Sequence, residues 1–206
     1  MMVDEIAGRR VLFAMAVEQE YGQELRRRIA PLLTGVGPVE AALSTAAALQ
    51  RLESEGRRPD LVVSLGSAGS RRCPLGTVWQ VSGVSWRDMD ATRLGFARGV
   101  TPFADHPAVI PLTTPLPGVP TATLSSGADI VWGKGFDAVD ADMVDMETFA
   151  VVRACARFGV PVIGLRGVSD GPGELDGLSG WTALLGHLDR ELAVAVDGLA
   201  GVVDCL

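Results

Sequence analysis

The sequence is poor in cysteine. Its three, Cys73, Cys155 and Cys205, are odd in number, far apart and in neither CxxC nor Cys/His spacing. That pattern argues against a disulfide framework and against a zinc site, and it fits a reducing cytoplasm. Long hydrophobic runs are missing as well. No apolar stretch reaches the roughly 18 residues of a membrane-spanning helix. The N-terminus "MMVDEIAGRRVLFAM" places acids ahead of its basic pair and carries a very short apolar run, unlike a secretory signal. Basic charge is also in deficit, with 18 Lys and Arg against 25 Asp and Glu and a formal net charge of -7. A nucleic-acid backbone or an anionic membrane surface would be repelled, so neither is expected as a partner. A small molecule or another protein remains.

What is present is a globular composition, 48% hydrophobic and 21% charged, which fits one compact domain over 1–206. "VLFAMAV" reads as a buried strand, followed by a short helix in "EQEYGQELRRRIAPLL". "TGVGPVEAALSTAAALQRLESEG" has a proline at the expected first helical turn, an Ala- and Leu-rich body and a Gly stop, which is helix grammar. "PDLVVSLGSAGS" is a continuous apolar run ending in small residues, as in a strand covered on both faces. Further strands are expected in "TVWQVSGVSW", "VPTATLSSGADIVWG" and "VPVIGLRGVSD", with helices around Met146 to Phe158 and within "LSGWTALLGHLDRELAVAVDGLAG". The alternation predicts an α/β fold with a largely parallel or mixed central sheet flanked by helices. The stretch from Arg87 to Pro120 holds six of the twelve prolines and reads as an extended loop region near a site or a subunit contact.

Two acids stand out. If Met143 to Phe158 is helical, the neighbours of Glu147 at three and four residues are Met143, Val144, Ala150 and Val151, none of which neutralises it. An unpaired buried carboxylate is costly unless something donates hydrogen bonds to it. Glu147 is therefore either a first-turn acid held by backbone N–H groups or a group facing a cavity, where a sugar diol would suit its two oxygens. Asp170 ends a strand ahead of "GPGEL", beside the crevice where open α/β sheets bind ligands. "GSAGS" also ends a strand, and its small side chains at Ser67, Ala68 and Gly69 would let a ligand approach the backbone.

Taken in order, "FAMAVE", "TGVGPVEAAL", "VVSLGSAGS", "RDMDATRLGF" and "MVDMETFAVVRACARFGVPVIGLRGVSD" resemble the nucleoside phosphorylase superfamily. The resemblance is strongest to its 5'-methylthioadenosine/S-adenosylhomocysteine nucleosidases and covers most of the chain. It implies a cytoplasmic homodimeric hydrolase that cleaves an N-glycosidic bond without metal or organic cofactor. Asp170, in the Arg-x-x-Ser-Asp motif with Arg166 and Ser169, matches the general acid that protonates N7 of the base. Glu18, chosen over nearby Glu20 by "AMxxE", matches the carboxylate that deprotonates the attacking water. Ser67 and Arg166 match residues that hold this water, although Arg166 also suits a structural ion pair and Ser67 a helix cap. Glu147 matches the acid that grips the ribose hydroxyls, and Met146 the residue packed on the sugar. Such an acid at the base and carboxylates by the sugar suit a step that builds oxocarbenium character while charge gathers on the leaving purine.

The chain departs from the family at two places. In "SSGADIVW" Ile130 stands where the family stacks an aromatic on adenine, with Val131 next, so apolar sandwiching survives and a π stack does not. Trp132 and Trp181 are the candidates to replace it. The segment between "GFARG" and "VPTATLS" is short; the resemblance implies that the loop "DATRLGF" lends apolar side chains to the 5' pocket of a neighbouring subunit, a part for which Ala91, Leu94 and Pro102 or Phe103 would serve. Two other functions compete with hydrolysis. A phosphorylase would need a cationic oxyanion site, for which only Arg166 and Arg71 are candidates. A nucleoside-binding protein without turnover would keep the fold alone.

Overall fold

The computed structural model describes residues 3–173 and 177–203. Nine strands form one mixed sheet: β1 (Asp4–Ile6), β2 (Arg9–Met15), β3 (Leu32–Leu33), β4 (Leu61–Ser70), β5 (Val78–Trp86), β6 (Val109–Pro111), β7 (Thr121–Ser126), β8 (Met143–Asp145) and β9 (Val162–Asp170). The helices are α1 (Gln23–Arg26), α2 (Pro38–Ser54), α3 (Thr148–Arg157), α4 (Gly177–Thr182) and α5 (Leu185–Gly198). The α/β architecture with a mixed sheet between helices is the one expected from the alternating pattern. None of the helices among the described residues is long and apolar enough to cross a membrane.

Strand side chains alternate between two cores, as a period of two requires. Leu12, Ala14 and Val62 pack with Ala41, Leu49 and Leu52 of α2 and Val151, Val152 and Cys155 of α3. Val11, Phe13, Val63 and Leu65 pack on the other side with Leu192, Ala193 and Val196 of α5. This two-sided burial explains why β2 and β4 read as unbroken apolar runs. Beyond that plane the sheet curls: β4 pairs with β9, β9 with β5, β5 with β7, β7 with β8 and β8 with β4, which closes a ring.

Several boundaries differ from the sequence expectations. "GSAGS" ends the strand as expected, but as its last five residues within the sheet rather than as a turn after it, because β8 and β9 both bond to this end of β4. The helix expected from Met146 starts at Thr148, since Met143–Asp145 are drawn into the sheet between β4 and β7. "EQEYGQELRRRIAPLL" divides into a 3-10 turn at Glu18–Glu20 and the single turn α1, and the last helix divides into α4 and α5. The Arg87 to Pro120 stretch is mostly irregular, with a 3-10 turn at Thr92–Leu94 and the short β6.

Candidate active site

The C-terminal half of β4 and the end of β9 run side by side, and the chemistry-bearing side chains gather over them. The acid that faces this region from the N-terminal segment is Glu20, not Glu18. The Glu18 side chain is 56% exposed and ion-paired with Arg26, whereas Glu20 is 8% exposed. Both sit on one 3-10 turn, where residues two apart point about 120° away from each other. A motif counted by spacing alone selects the outward one. Glu20 Oε1 accepts hydrogen bonds from Ser67 N–H at 2.7 Å and from Ser67 Oγ at 2.6 Å. Its Oε2 is buried and has no hydrogen-bond partner among the described residues. Burial pushes the Glu20 pKa up, against the pull of the two Ser67 hydrogen bonds. Gly66 leaves room for this carboxylate, because a Cβ there would lie 3.2 Å from Oε2.

Arg166 is buried beneath the same cavity, and its guanidinium is committed to the protein. Nη1 donates to the Ser64 and Leu165 carbonyls, Nε and Nη2 to Asp145 Oδ2, and Nη2 also to Ser64 Oγ and Thr148 Oγ1. Asp145 pairs with Arg166 at 3.0 Å while both side chains are almost fully buried. It also accepts Ser126 Oγ at 2.5 Å and Thr148 N–H at 3.0 Å. Asp145 thus caps the start of α3 through Thr148; its second role as counter-ion to Arg166 depends on β8 and β9 meeting on β4, which no local pattern shows. Breaking such a pair from one side leaves an uncompensated buried charge.

Glu147 is the N-cap of α3, and its Oε1 accepts Gly37 N–H at 2.8 Å. Gly37 is itself the N-cap of the long helix α2, at φ 90°, a left-handed conformation that glycine adopts without strain. Glu147 thus faces the N-terminal ends of two helices, where backbone N–H groups favour negative charge. Burial and the nearby Asp145 outweigh them and raise its pKa to about 7. Met146, beside it, is half-buried. Glu20, Ser67, Glu147, Arg166, Thr34 and Val151 enclose a cavity of about 10 Å³, close to the smallest space that holds one water.

Asp170 stands at the end of β9. A bulge at this point lets Ala68 pair with Val168 and Gly69 with Asp170, skipping Ser169, so the bulge sets the Asp170 carboxyl over Gly69. A Cβ on Gly69 would meet Asp170 Oδ2 at 2.8 Å and Val144 Cγ2 at 3.1 Å. Ser169 Oγ donates to Asp170 Oδ1 at 2.6 Å, and burial raises the Asp170 pKa despite that bond. From Ser67 to Gly69 the strand rises about 7 Å, which separates the cavity at Glu20 from the acid at Asp170.

Ile130 and Val131 are not brought against that cavity. Ile130 is 65% exposed and lines a surface depression of about 590 Å³ with Trp132, Arg98 and Lys134. Val131 packs with Phe136, Val139, Ala141 and Val144, a small cluster behind Asp170. Trp132 is exposed, but Trp181 on α4 does reach the site, and its Nε1 donates to Ser67 Oγ at 3.0 Å. Ala91 is buried, while Leu94 and Phe103 project from the surface, 75% and 98% exposed. Asp189 of α5 was not marked by any sequence pattern. It accepts Glu24 N–H and Leu25 N–H at 2.9 and 3.0 Å, which anchors α1 and with it the turn carrying Glu20.

Residues 132–186 match the family model of the Phosphorylase superfamily. The chain is 33% identical over 190 residues to a futalosine hydrolase of Streptomyces coelicolor, covering 84% of this chain and 79% of that one. It is 29% identical over 172 residues to a 5'-methylthioadenosine/S-adenosylhomocysteine nucleosidase of Actinobacillus succinogenes, covering 74% and 73%. In fold it is similar to a 5'-methylthioadenosine/S-adenosylhomocysteine nucleosidase from Colwellia psychrerythraea solved in complex with adenine, with a TM-score of 0.79 at 19% identity over 98% of each chain. A futalosine hydrolase from Helicobacter pylori gives a TM-score of 0.72 at 19% identity, covering 95% of this chain and 97% of that one.

Proposed function

The chain belongs to the phosphorylase superfamily, and from that premise we propose that it hydrolyses the N-glycosidic bond of 5'-methylthioadenosine, S-adenosylhomocysteine or a related 5'-modified purine nucleoside. The observation that carries this reading is the buried Glu20 carboxylate, with Oε2 unpartnered among the described residues beside a water-sized cavity. A water there gives its proton to Glu20 Oε2 as its oxygen bonds to the anomeric carbon. The glycosidic electron pair leaves with the base, and Asp170, about two strand residues along β4, delivers a proton to the base nitrogen. The rise of about 7 Å leaves room for near attack, at about 3 Å, plus the ring being expelled. Glu147 accepts the ribose hydroxyls, with Met146 against the sugar.

Phosphate fits this cavity poorly as the nucleophile. Arg166 is the only cationic side chain among its lining residues, and its N–H groups point at protein acceptors. Arg71 is paired with Asp137 at 2.9 Å. A second reading takes futalosine as the substrate, favoured by the 33% identical relative. The purified protein incubated with methylthioadenosine, S-adenosylhomocysteine and futalosine in separate arms, with and without phosphate, tests both. Phosphate-independent release of free base in one arm supports hydrolysis and names the substrate; strict phosphate dependence overturns it. A homodimer is part of the proposal, since exposed Leu94 and Phe103 lie on the segment that lends apolar side chains to a neighbour in the family, and light scattering checks it.

A further inference from the structure

Trp181, one of the two candidates for the missing aromatic, ends its indole N–H on the hydroxyl that holds Glu20. Ser67 Oγ receives Trp181 Nε1–H at 3.0 Å and donates to Glu20 Oε1 at 2.6 Å. An indole N–H is a donor only, while a hydroxyl has one proton and two lone pairs. With Trp181 on one lone pair, the Ser67 proton is directed to Glu20, and each bond in such a chain polarises the next. We propose that Trp181 is a positioning residue for the base: through Ser67 it fixes Oε1 of Glu20 and leaves Oε2 as the edge that takes the proton of water. This inference rests on the hydrolytic reading.

The other charged groups around Glu20 are set independently of Trp181. Arg166 and Asp145 are paired with each other, and Glu147 is held by Gly37 N–H. On α5, Asp189 is engaged by the amides of α1, and His187 Nε2 lies 3.0 Å from the Gly76 carbonyl. Trp181→Phe keeps an aromatic ring and removes only the donor. Losing the indole donor weakens the Ser67 hydroxyl bond that it polarises, and a weaker bond to the carboxylate favours its neutral form, so the acid limb of kcat/KM is expected to move to higher pH by about one unit, about a tenfold loss below the limb. KM is expected to stay within about twofold. In a Ser67→Ala background, Trp181→Phe is expected to add no further loss. A uniform loss at every pH, or losses from the two substitutions that multiply, would overturn the relay. The Glu20 carboxyl titration in the resting protein, followed by carbon-13 NMR and assigned by its absence in Glu20→Gln, must show the same shift; an unmoved titration also overturns it. Absence of base release by the wild-type protein would instead sink the hydrolytic reading, and the resting-state titration still decides the relay.

Discussion

Glu147 retains its proton to about pH 7 because burial and Asp145 both oppose its charge. An unfolded glutamate releases that proton near pH 4.3, so between those values the folded chain binds a proton that the unfolded chain has lost. The resulting stabilisation is complete at the acid end and disappears as pH rises through 7. In Glu147→Gln this contribution to pH dependence should vanish: urea midpoints of the unliganded wild type should fall more between pH 5 and pH 8 than those of the variant. Equal falls would remove Glu147 as the source. Glu20→Gln should lower kcat by about 10²- to 10⁴-fold, while Glu18→Gln, which loses only an exposed ion pair, should stay within about threefold of wild type. Comparable losses at both positions would contradict the inward orientation of Glu20. Glu147 and Asp170 were legible because each stands alone in a distinctive apolar or strand-end setting. Glu20 was not, because the turn that selects between it and Glu18 is only three residues long.

At the level of elements, the strands β2, β4, β5 and β9 and the helix α2 follow from apolar runs and from the Gly37–Pro38 start. The strand β8 is not visible in the sequence, because "MVDMETF" has no feature that tells a three-residue strand from a first helical turn; pairing with β4 and β7 decides it. The bulge at Ser169 is likewise a product of two strands meeting and leaves no mark on "RGVSD". The dependence of the Glu20 turn on α5 is also nonlocal, since Asp189 lies 165 residues from Glu24. Asp189→Ala would leave two amides of α1 without their acceptor, one of them at the buried Leu25, at a cost of about 1–3 kcal/mol. The variant should show a lower thermal midpoint and a larger proportional loss of turnover than of nucleoside binding. Unchanged turnover per folded molecule would show that α1 holds Glu20 without this anchor.

For the molecule as a whole, the two-sided core was foreseeable from unbroken strand runs. Closure of β4, β9, β5, β7 and β8 into a ring was not foreseeable, because it depends on β5 and β8 each pairing with strands far away in the chain. That distance has a consequence in time. The acid Asp170 is placed by strand pairing, but the turn that carries Glu20 gains its anchor when Asp189 of α5 reaches back to the first helix, a contact of the kind that forms late because its loop is long. On dilution from denaturant, sheet signals should therefore recover first and base release later, the lag being the arrival of α5. A chain ending before Leu185 should lack the anchor for the turn that carries Glu20.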